Sequence, residues 1–275
     1  MPLITLTSDI GLQDYIPAAI KGQLYQICKG FDQVVISHQV PPFNFLQAVY
    51  LCKSAIPHFP SGTFHIILVN VFDKRNNHFL LARHHNQYFC CADNGLLSMI
   101  LDGQPEEVVK VPLPLNDEKN IMNVIKMFGS LIMSIDNGTL INTLGTPAVD
   151  MVIQNNMPLL VREKFIEGQI IYIDNFENVI INITKDQFNL HRKGRNFKIC
   201  YRRDEYIDQI SETYADVSEG HNLALFNSAG YLEIAINKGN AAGLLGLQEF
   251  DNQPSRQVNH FQNRLFYQAI QIFFE

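Results

Sequence analysis

The first half of the chain alternates between two hydrophobic patterns. Short β-rich runs are followed by longer segments whose apolar residues recur every three or four positions, which is the spacing of one helix face. The strand-like runs are LITLTS, QVVISH, TFHIILVNV and YFCCAD, and the helical segments are DYIPAAIKGQLYQIC, NFLQAVYLCKSAI and IMNVIKMFGSLIMSI. This alternation is typical of βαβ units around a mostly parallel sheet. It predicts an α/β domain over residues 1–155.

From about residue 165 onward the pattern changes to strands separated by turn residues. The runs are GQIIYIDNFENVIINI, NFKICYR, NLALFNSAGYLEIAIN and NRLFYQAIQIFFE. Successive short strands with turn signals predict a smaller all-β domain, a barrel or a sandwich, over residues 165–275. The preceding stretch TPAVDMVIQNNMPLLVREKF carries two prolines and two asparagines, so residues 156–164 are predicted to be a linker.

Composition and charge exclude several classes of protein. The 275 residues are 47% apolar and 17% charged, which is enough to bury a sizeable core. The formal net charge of −6 argues against binding nucleic acid through phosphate contacts. The N-terminus MPLITLTSDIG enters a strand pattern at once and lacks the features of a signal peptide. Since no apolar run reaches about 18 residues, we also expect no membrane contact.

The cysteines and histidines give no metal signal. Five cysteines form an odd count without a CxxC spacing, which favours free thiols in a reduced cytoplasm. His65, His78 and the pair His84 and His85 match no ligand spacing and are interpreted as strand or core histidines. Asp93, in the segment DNGLLSMIL, either brings a turn to the rim of a site or belongs to a hairpin turn.

Asp9 is the first candidate for site chemistry. It follows the first predicted strand, and ligands of open parallel sheets bind outside the carboxyl ends of the strands. A carboxylate there can accept hydrogen bonds from a ribose diol, coordinate a metal together with Asp14, or cap the helix that follows. The residues alone leave these three roles open.

A wider set of motifs resembles one known family. The motifs are SDIGLQDYIPAAIKG, then ISHQVPPFNFLQAVYLCKSAIPHFPSGTFHIILVNV, CADNGLLSMI, YIDNFENVIINI and FNSAGYLEIAINKGNAAGLLGL. In this order, from Thr7 to Leu247, they resemble the S-adenosylmethionine (SAM) hydroxide adenosyltransferase family, which is related to the fluorinases and chlorinases.

The resemblance implies both an architecture and a reaction. The architecture is a Rossmann-like α/β/α N-terminal domain, a C-terminal β-barrel, and a homotrimer whose sites lie between subunits. The reaction is attack of water on the ribose C5′ of SAM, which releases adenosine and methionine without a cofactor. Because the sulfonium is already a good leaving group, the protein must mainly align the reacting atoms and exclude other water.

The resemblance also assigns substrate contacts by position. Asp9 corresponds to the acceptor for the ribose hydroxyls, and Phe43 corresponds to an aromatic face against the sugar or base. Asp174 corresponds to the residue that meets the methionine ammonium, and Asn178 to an adenine contact. Ser228 corresponds to a group that binds the methionine carboxylate. Without the family, the last three residues read as ordinary turn residues.

The chain departs from the family at the water site. Family hydrolases use an aspartate, an arginine and a histidine to position and polarise water, and the corresponding residues here are Asn70, Asn77 and Asn123. An amide can orient water but cannot take its proton, and general-base assistance is worth about 10² to 10⁴ in rate. Two hypotheses therefore stand: a slow SAM hydrolase, which we favour, and a non-catalytic protein that binds SAM or adenosine.

The binding half departs from the family as well. Glu177 stands in place of a glycine, Ile181 in place of a threonine, and Ala229 at a position where the halogenases have an arginine. Glu177 either points away on a turn or crowds the adenine, and Ala229 favours looser recognition of methionine.

Overall fold

The computed structural model describes residues 2–72, 78–114, 118–202, 205–246 and 269–275. The backbone divides into two compact units, Met1–Asn156 and Met157–Glu275. Each unit has a hydrophobic core of its own. Within these described ranges, no helix has the length and apolar character needed to cross a membrane.

The first unit is built on a seven-stranded mixed sheet. Its strands are β1 Leu3–Ser8, β2 Asp32–Ser37, β3 Phe64–Leu68, β4 His78–His84, β5 Gln87–Ala92, β6 Glu107–Pro112 and β7 Thr146–Pro147. The spatial order is β2-β1-β3-β5-β4-β6-β7. Strands β2, β1, β3 and β5 are parallel to one another, whereas β4 runs antiparallel to both β5 and β6.

Strand β4 reverses direction because a two-residue hairpin joins it to β5. His85 and Asn86 form this turn with φ angles of 47° and 58°. Two successive left-handed residues are the geometry of a type I′ turn, whose twist matches that of a hairpin. The sheet is therefore mixed. Its four neighbouring strands β2, β1, β3 and β5 still form the parallel arrangement that the sequence pattern predicts.

Helices cover both faces of this sheet. They are α1 Ile16–Ile27, α2 Phe45–Ala55, α3 Leu96–Leu101 and α4 Ile121–Asp136. Alternate residues of a strand point to opposite faces. In β3, Ile66 belongs to the core shared with α1 and α4, and Ile67 belongs to the core shared with α2 and α3. The unit is thus a three-layer α/β/α domain, as predicted.

The second unit is a nearly closed antiparallel sheet. Its strands are β8 Leu160–Val161, β9 Phe165–Ile173, β10 Val179–Thr184, β11 Phe197–Arg202, β12 Glu205–Ile207, β13 Asn222–Phe226, β14 Tyr231–Ile236 and β15 Ala269–Phe274. The order is β12-β11-β15-β9-β10-β14-β13, with β8 paired to β9. A bridge between Ile210 and Ala224 brings the segment after β12 against β13. The predicted all-β barrel is confirmed, and β8 lies within residues 156–164, the predicted linker.

Two short helices accompany the barrel: α5 Lys185–Arg192 and α6 Ala241–Leu244. Helix α5 begins with a capping box in which Thr184 and Gln187 satisfy each other's backbone N–H groups. Its one buried residue, Phe188, packs against the rings of Phe197, Phe226 and Phe274. A polar helix is therefore held on the barrel mainly by one aromatic side chain.

Truncating this side chain should destabilise the barrel. We expect Phe188→Ala to lower the free energy of unfolding by about 3 to 5 kcal/mol, because Phe188 is only 1% exposed and leaves a cavity. Leu190→Ala in the same helix is the control, since Leu190 is 66% exposed and should change the value by less than about 0.5 kcal/mol. Urea denaturation followed by circular dichroism compares the two variants. Equal effects would contradict the anchoring role of Phe188.

Candidate functional site

The neighbouring strands β1, β3 and β5 of the first unit have their carboxyl ends side by side. Ser8 of β1 pairs with Leu68 of β3, and Ile67 of β3 pairs with Cys91 of β5. The residues that follow these strands therefore meet at one edge of the sheet. This is the edge at which open parallel sheets bind ligands.

One oxygen of Asp9 joins two of the loops at this edge. Asp9 Oδ2 accepts a hydrogen bond from the backbone N–H of Phe43 at 3.0 Å and another from that of Asn70 at 3.1 Å. Phe43 follows β2, and Asn70 follows β3. Hydrogen bonds to a carboxylate are stronger than those between neutral groups. Three residues that the sequence assigns to the site are thus held together by one side chain.

Both residues that donate to Asp9 have strained backbone conformations. Phe43 has a φ of 62° and Asn70 a φ of 48°, in the left-handed region that favours glycine. Such conformations persist when the surrounding structure fixes them. The turn also leaves the Phe43 ring 68% exposed, so its face is open to a ligand.

The roles left open for Asp9 can now be compared with the geometry. Helix α1 begins at Ile16, and the backbone N–H of Ile16 donates to Asp14 Oδ1 at 2.9 Å. Asp9 instead accepts from the backbone of the two loops that carry Phe43 and Asn70. Among the residues that the structure describes, no group of three or more His, Cys, Asp or Glu side chains is placed to hold a metal ion. Asp9 therefore fixes the site loops and does not cap the following helix.

A buried pair lies directly behind Asp9. Ser8 Oγ and His38 Nδ1 are 2.7 Å apart, and both residues are buried. Burial lowers the pKa of His38, and the nearby charge of Lys21 lowers it further. Both effects favour the neutral imidazole of His38.

The segment Asp93-Asn94 also supports this edge. Asn94 Nδ2 donates to the carbonyl oxygens of Val69 at 3.0 Å and Asn70 at 3.2 Å. The buried carboxylate of Asp93 accepts from Val152 N at 2.8 Å and lies 2.7 Å from His78 Nε2. Of the two sequence interpretations of this segment, the one that places it at the rim of the site agrees with these contacts.

Sequence reasoning does not identify these supporting roles. The interpretation of His78 as a strand or core histidine agrees with its place at the start of β4, but His78 also pairs with Asp93 across the sheet edge. Asn94 lies within the motif CADNGLLSMI, but the resemblance gives it no role. From the residues alone, the dipeptide Asp-Asn after a buried strand is equally typical of a turn.

Asn123 and Asn77 are the other two residues that the sequence assigns to the water site. Asn123 lies in the first turn of α4, where its Nδ2 donates to Glu118 O at 2.9 Å and its backbone N–H donates to the N-cap Asn120. No described contact links Asn123 to Asp9 or Asn70. Asn77 lies outside the described residues. The assignment of Asn70, Asn77 and Asn123 to a common water site stays a prediction.

In the second unit, Asp174 organises the turn between β9 and β10. Its Oδ1 accepts from the backbone N–H groups of Phe176 at 2.9 Å and Asn178 at 2.8 Å. Its Oδ2 accepts from Asn178 Nδ2 at 3.1 Å. Asn178 is buried and Asp174 half-buried. Asp174 and Asn178, which the sequence assigns to methionine and adenine recognition, therefore form one hydrogen-bonded unit.

Two substitutions in this region have structural explanations. Glu177 has a φ of 62°, so it occupies the left-handed conformation that a glycine adopts without strain. Ile181 is fully buried in the barrel core, where an apolar side chain replaces the threonine of the family pattern without an unpaired hydroxyl. The first substitution costs backbone strain, whereas the second suits its surroundings.

Ser228 lies in the turn between β13 and β14. The side chain of Asn227 shapes this turn, since its Oδ1 accepts from Ala229 N and Tyr231 N, each at 3.1 Å. Ser228 is exposed, and its hydroxyl bonds to none of the residues that the structure describes. This hydroxyl is therefore available to a ligand.

Removing the Asp9 carboxylate should free both loops. We expect Asp9→Ala to lower the free energy of unfolding by about 1 to 3 kcal/mol, because two backbone N–H groups lose their acceptor. Asp9→Asn keeps an acceptor oxygen and should lose less. Asp32→Ala is the control, since Asp32 is exposed at the first residue of β2, at the opposite edge of the sheet. Chemical denaturation measures the free energy of unfolding of the three variants. Equal values for Asp9→Ala and Asp32→Ala would contradict the role of Asp9.

Solved structures with the same fold have been found. A structure described as an uncharacterized conserved protein from Thermotoga maritima matches with a TM-score of 0.80 at 22% identity, covering 99% of this chain and 100% of that one. A conserved hypothetical protein from Thermus thermophilus matches with a TM-score of 0.67 at 23% identity, covering both chains completely. At these identities the similarity establishes the fold alone.

Sequence comparison identifies the family. The family model for the SAM hydroxide adenosyltransferase N-terminal domain matches residues 4–145, and the model for the C-terminal domain of that family matches residues 168–253. A Methanocaldococcus jannaschii protein named (R)-S-adenosyl-L-methionine hydrolase is 24% identical over 91% of this chain and 94% of its own length. A Thermus thermophilus protein of the same name is 28% identical over 88% of this chain and 94% of its own. The two matched domains follow in order over most of the sequence, so this chain belongs to the SAM hydroxide adenosyltransferase family.

Proposed function

We propose that this chain hydrolyses S-adenosylmethionine to adenosine and L-methionine. Water attacks C5′ of the ribose, the C5′–S bond breaks with its electron pair going to the methionine sulfur, and the attacking water loses a proton. The curated relatives named (R)-S-adenosyl-L-methionine hydrolase support this assignment over nearly the whole chain. Their name makes the (R) epimer of the sulfonium the first substrate to test.

The observation that carries the proposal is the arrangement around Asp9. One carboxylate oxygen holds Phe43 and Asn70, at the edge where such sheets bind ligands. Asp9 Oδ1 makes no hydrogen bond within the described parts of the chain and can accept from a ribose hydroxyl. The exposed Phe43 ring can cover the sugar or base. Both substrate contacts assigned to this unit therefore lie beside Asn70.

The methionine end of the substrate would bind the second unit. Asp174 Oδ2 has one bond from Asn178 and retains capacity for an ammonium. The free hydroxyl of Ser228 can donate to a carboxylate. Asn178 gives one N–H of its Nδ2 to Asp174, which leaves its second N–H and its Oδ1 for the adenine. These three roles agree with the hydrogen-bonding capacity that the described structure leaves to each residue.

Turnover should be slow because the three ionisable residues of the family's water site correspond to amides here. Asn70, Asn77 and Asn123 can orient water through their amides, but none of them can accept the proton that water must lose. The leaving group needs no protonation, so alignment of the reactants still lowers the barrier. Loss of general-base assistance removes a factor of about 10² to 10⁴.

We extend the proposal to the assembly and location of the protein. A homotrimer with sites between subunits would bring Asp9 of one copy close to Asp174 of another. The net charge of −6 supports a small-molecule partner and argues against nucleic acid, and we propose no membrane partner. The five free cysteines support a reducing, cytoplasmic location.

A long incubation of excess protein with SAM in oxygen-18 water tests the reaction. Aliquots quenched at intervals are analysed by liquid chromatography and mass spectrometry, for both sulfonium epimers. We expect adenosine and methionine to rise together, with the heavy oxygen in the 5′-hydroxyl of adenosine, and Asp9→Ala to lose the activity. Asp32→Ala is the matched control and should keep it. If SAM stays intact in this incubation but binds to the protein in calorimetry, the result would instead favour a non-catalytic binding protein.

Restoring ionisable groups should accelerate the reaction. We expect the triple variant Asn70→Asp, Asn77→Arg, Asn123→His to turn over about 10² to 10⁴ times faster than the unaltered chain, because a base can again take the proton of water. Asn137→His is the control, since Asn137 is exposed at the other end of α4. Single-turnover rates under saturating SAM make the comparison. An unchanged rate in the triple variant would show that the amides do not limit the chemistry.

A further inference from the structure

Glu233 is a buried acid that the proposed reaction does not use. It lies in the middle of β14 and is only 3% exposed. Its neighbours Leu232 and Ile234 point into the barrel core, so Glu233 points to the opposite face of the sheet. On that face Ala235 and Leu225 form a small separate cluster with Val217. A carboxyl group there costs solvation free energy unless it is well bonded.

The segment between β12 and β13 supplies one partner for this acid. Tyr214, in the stretch ISETYADVSEGHN, donates its hydroxyl to Glu233 Oε1 at 2.6 Å. A capping box between Thr213 and Asp216 fixes the short turn that carries Tyr214. This stretch therefore orients a hydroxyl towards the acid.

Asn227 supplies the second partner. Leu225 pairs with Glu233 across the strands, and Asn227, two residues after Leu225, lies on the same face of the sheet. A hydrogen bond from the Asn227 side chain lowers the pKa of Glu233, and the amide nitrogen must be the donor when a carboxylate accepts. This leaves Asn227 Oδ1 for the backbone N–H groups of Ala229 and Tyr231. Glu233 thereby fixes which way the Asn227 amide faces. A continuous chain of bonds then runs from Tyr214 through Glu233 and Asn227 to the turn that carries Ser228.

The surroundings of Glu233 are acidic. Burial raises its pKa, the hydrogen bond from Tyr214 lowers it, and the negative charge of Asp174 raises it again. Ile180, two residues after Asn178, pairs with Glu233 across the strands, and Asp174 is bonded to Asn178. The residues assigned to the ammonium and carboxylate of methionine, Asp174 and Ser228, therefore lie in the two turns that flank the strands around Glu233.

We propose that Glu233 is a positioning residue for the methionine end of the ligand, acting through Asn227 on the turn that presents Ser228. The inference rests on the proposed function, since it takes SAM as the ligand. Removing Glu233 would take this partner from the Asn227 amide and weaken its hold on the N–H groups of Ala229 and Tyr231. Ser228, in the turn that these bonds shape, would then be held less firmly. The residues assigned to the adenosine end are Asp9, Phe43 and Asn178. The described structure shows no hydrogen bond between these residues and Tyr214, Glu233 or Asn227, since the side-chain bond of Asn178 goes to Asp174.

Comparing two ligands separates positioning from a general loss of stability. Isothermal titration calorimetry measures the affinity of each variant for SAM and for adenosine, which lacks the methionine end. We expect Glu233→Leu to weaken SAM about tenfold or more and to leave adenosine within about twofold, because one well-placed polar contact is worth roughly a factor of ten. Glu233→Gln keeps an acceptor for Asn227 and should stay within about threefold of the unaltered chain for both ligands.

A milder pair of variants covers the case in which Glu233→Leu does not fold. Tyr214→Phe removes one hydroxyl from the chain of bonds and should weaken SAM by about threefold without changing adenosine. Tyr206→Phe is its matched control, because Tyr206 lies in the same unit and is 49% exposed. Tyr206→Phe should leave both affinities unchanged.

The outcomes also separate this inference from the proposed function. If the unaltered chain binds SAM, and the variants weaken SAM and adenosine equally or weaken neither, the positioning role of Glu233 is overturned while the proposed function stands. If the unaltered chain binds no SAM, the proposed function fails, and the inference fails with it. Selective weakening of SAM by Glu233→Leu or Tyr214→Phe, with rescue by Glu233→Gln, supports the inference.

Discussion

The candidate site in the first unit depends on one carboxylate oxygen. Asp9 Oδ2 takes hydrogen bonds from two backbone N–H groups that follow different strands. Without it, both groups would need another partner, and two residues with positive φ angles would lose the contact that holds them. The positions of Phe43 and Asn70 are therefore not independent. Each is set by the same acceptor, and that acceptor is the residue that the proposed function assigns to the ribose.

The second unit uses the same kind of interaction on a smaller scale. Asp174 and Asn227 each accept backbone N–H groups from the turn in which they lie, so a side-chain oxygen replaces strand pairing where the chain reverses. The hydrophobic cores support these turns but do not shape them. Because hydrogen-bonded turns have defined geometry, they can present polar groups such as Ser228 to a ligand at low cost in conformational entropy.

The sequence predicts the fold well and the site contacts poorly. Strands β1 and β5 and helices α2 and α4 follow from apolar spacing, but the pattern does not predict β4, because its start at His78 falls within a stretch rich in polar residues. Nor does it predict helix α5, which has a single buried residue, although Thr184 and Gln187 form a readable capping signal. The bond between Asp9 and Phe43 spans 34 residues and leaves no periodic trace. Resemblance to a family, and not residue pattern, places these two residues in one site.

Binding and rate are physically separable in this arrangement. Asn70 is held by its backbone N–H, a group that every residue except proline provides, so replacing an aspartate by an asparagine there leaves the bond to Asp9 in place. The substitution removes only the capacity to take a proton. The substrate contacts assigned to Asp9, Phe43, Asp174 and Ser228 involve none of the three amides. Under the proposed function, this chain can therefore keep its affinity for SAM while turnover slows, because the assigned substrate contacts and the water-site amides are different side chains.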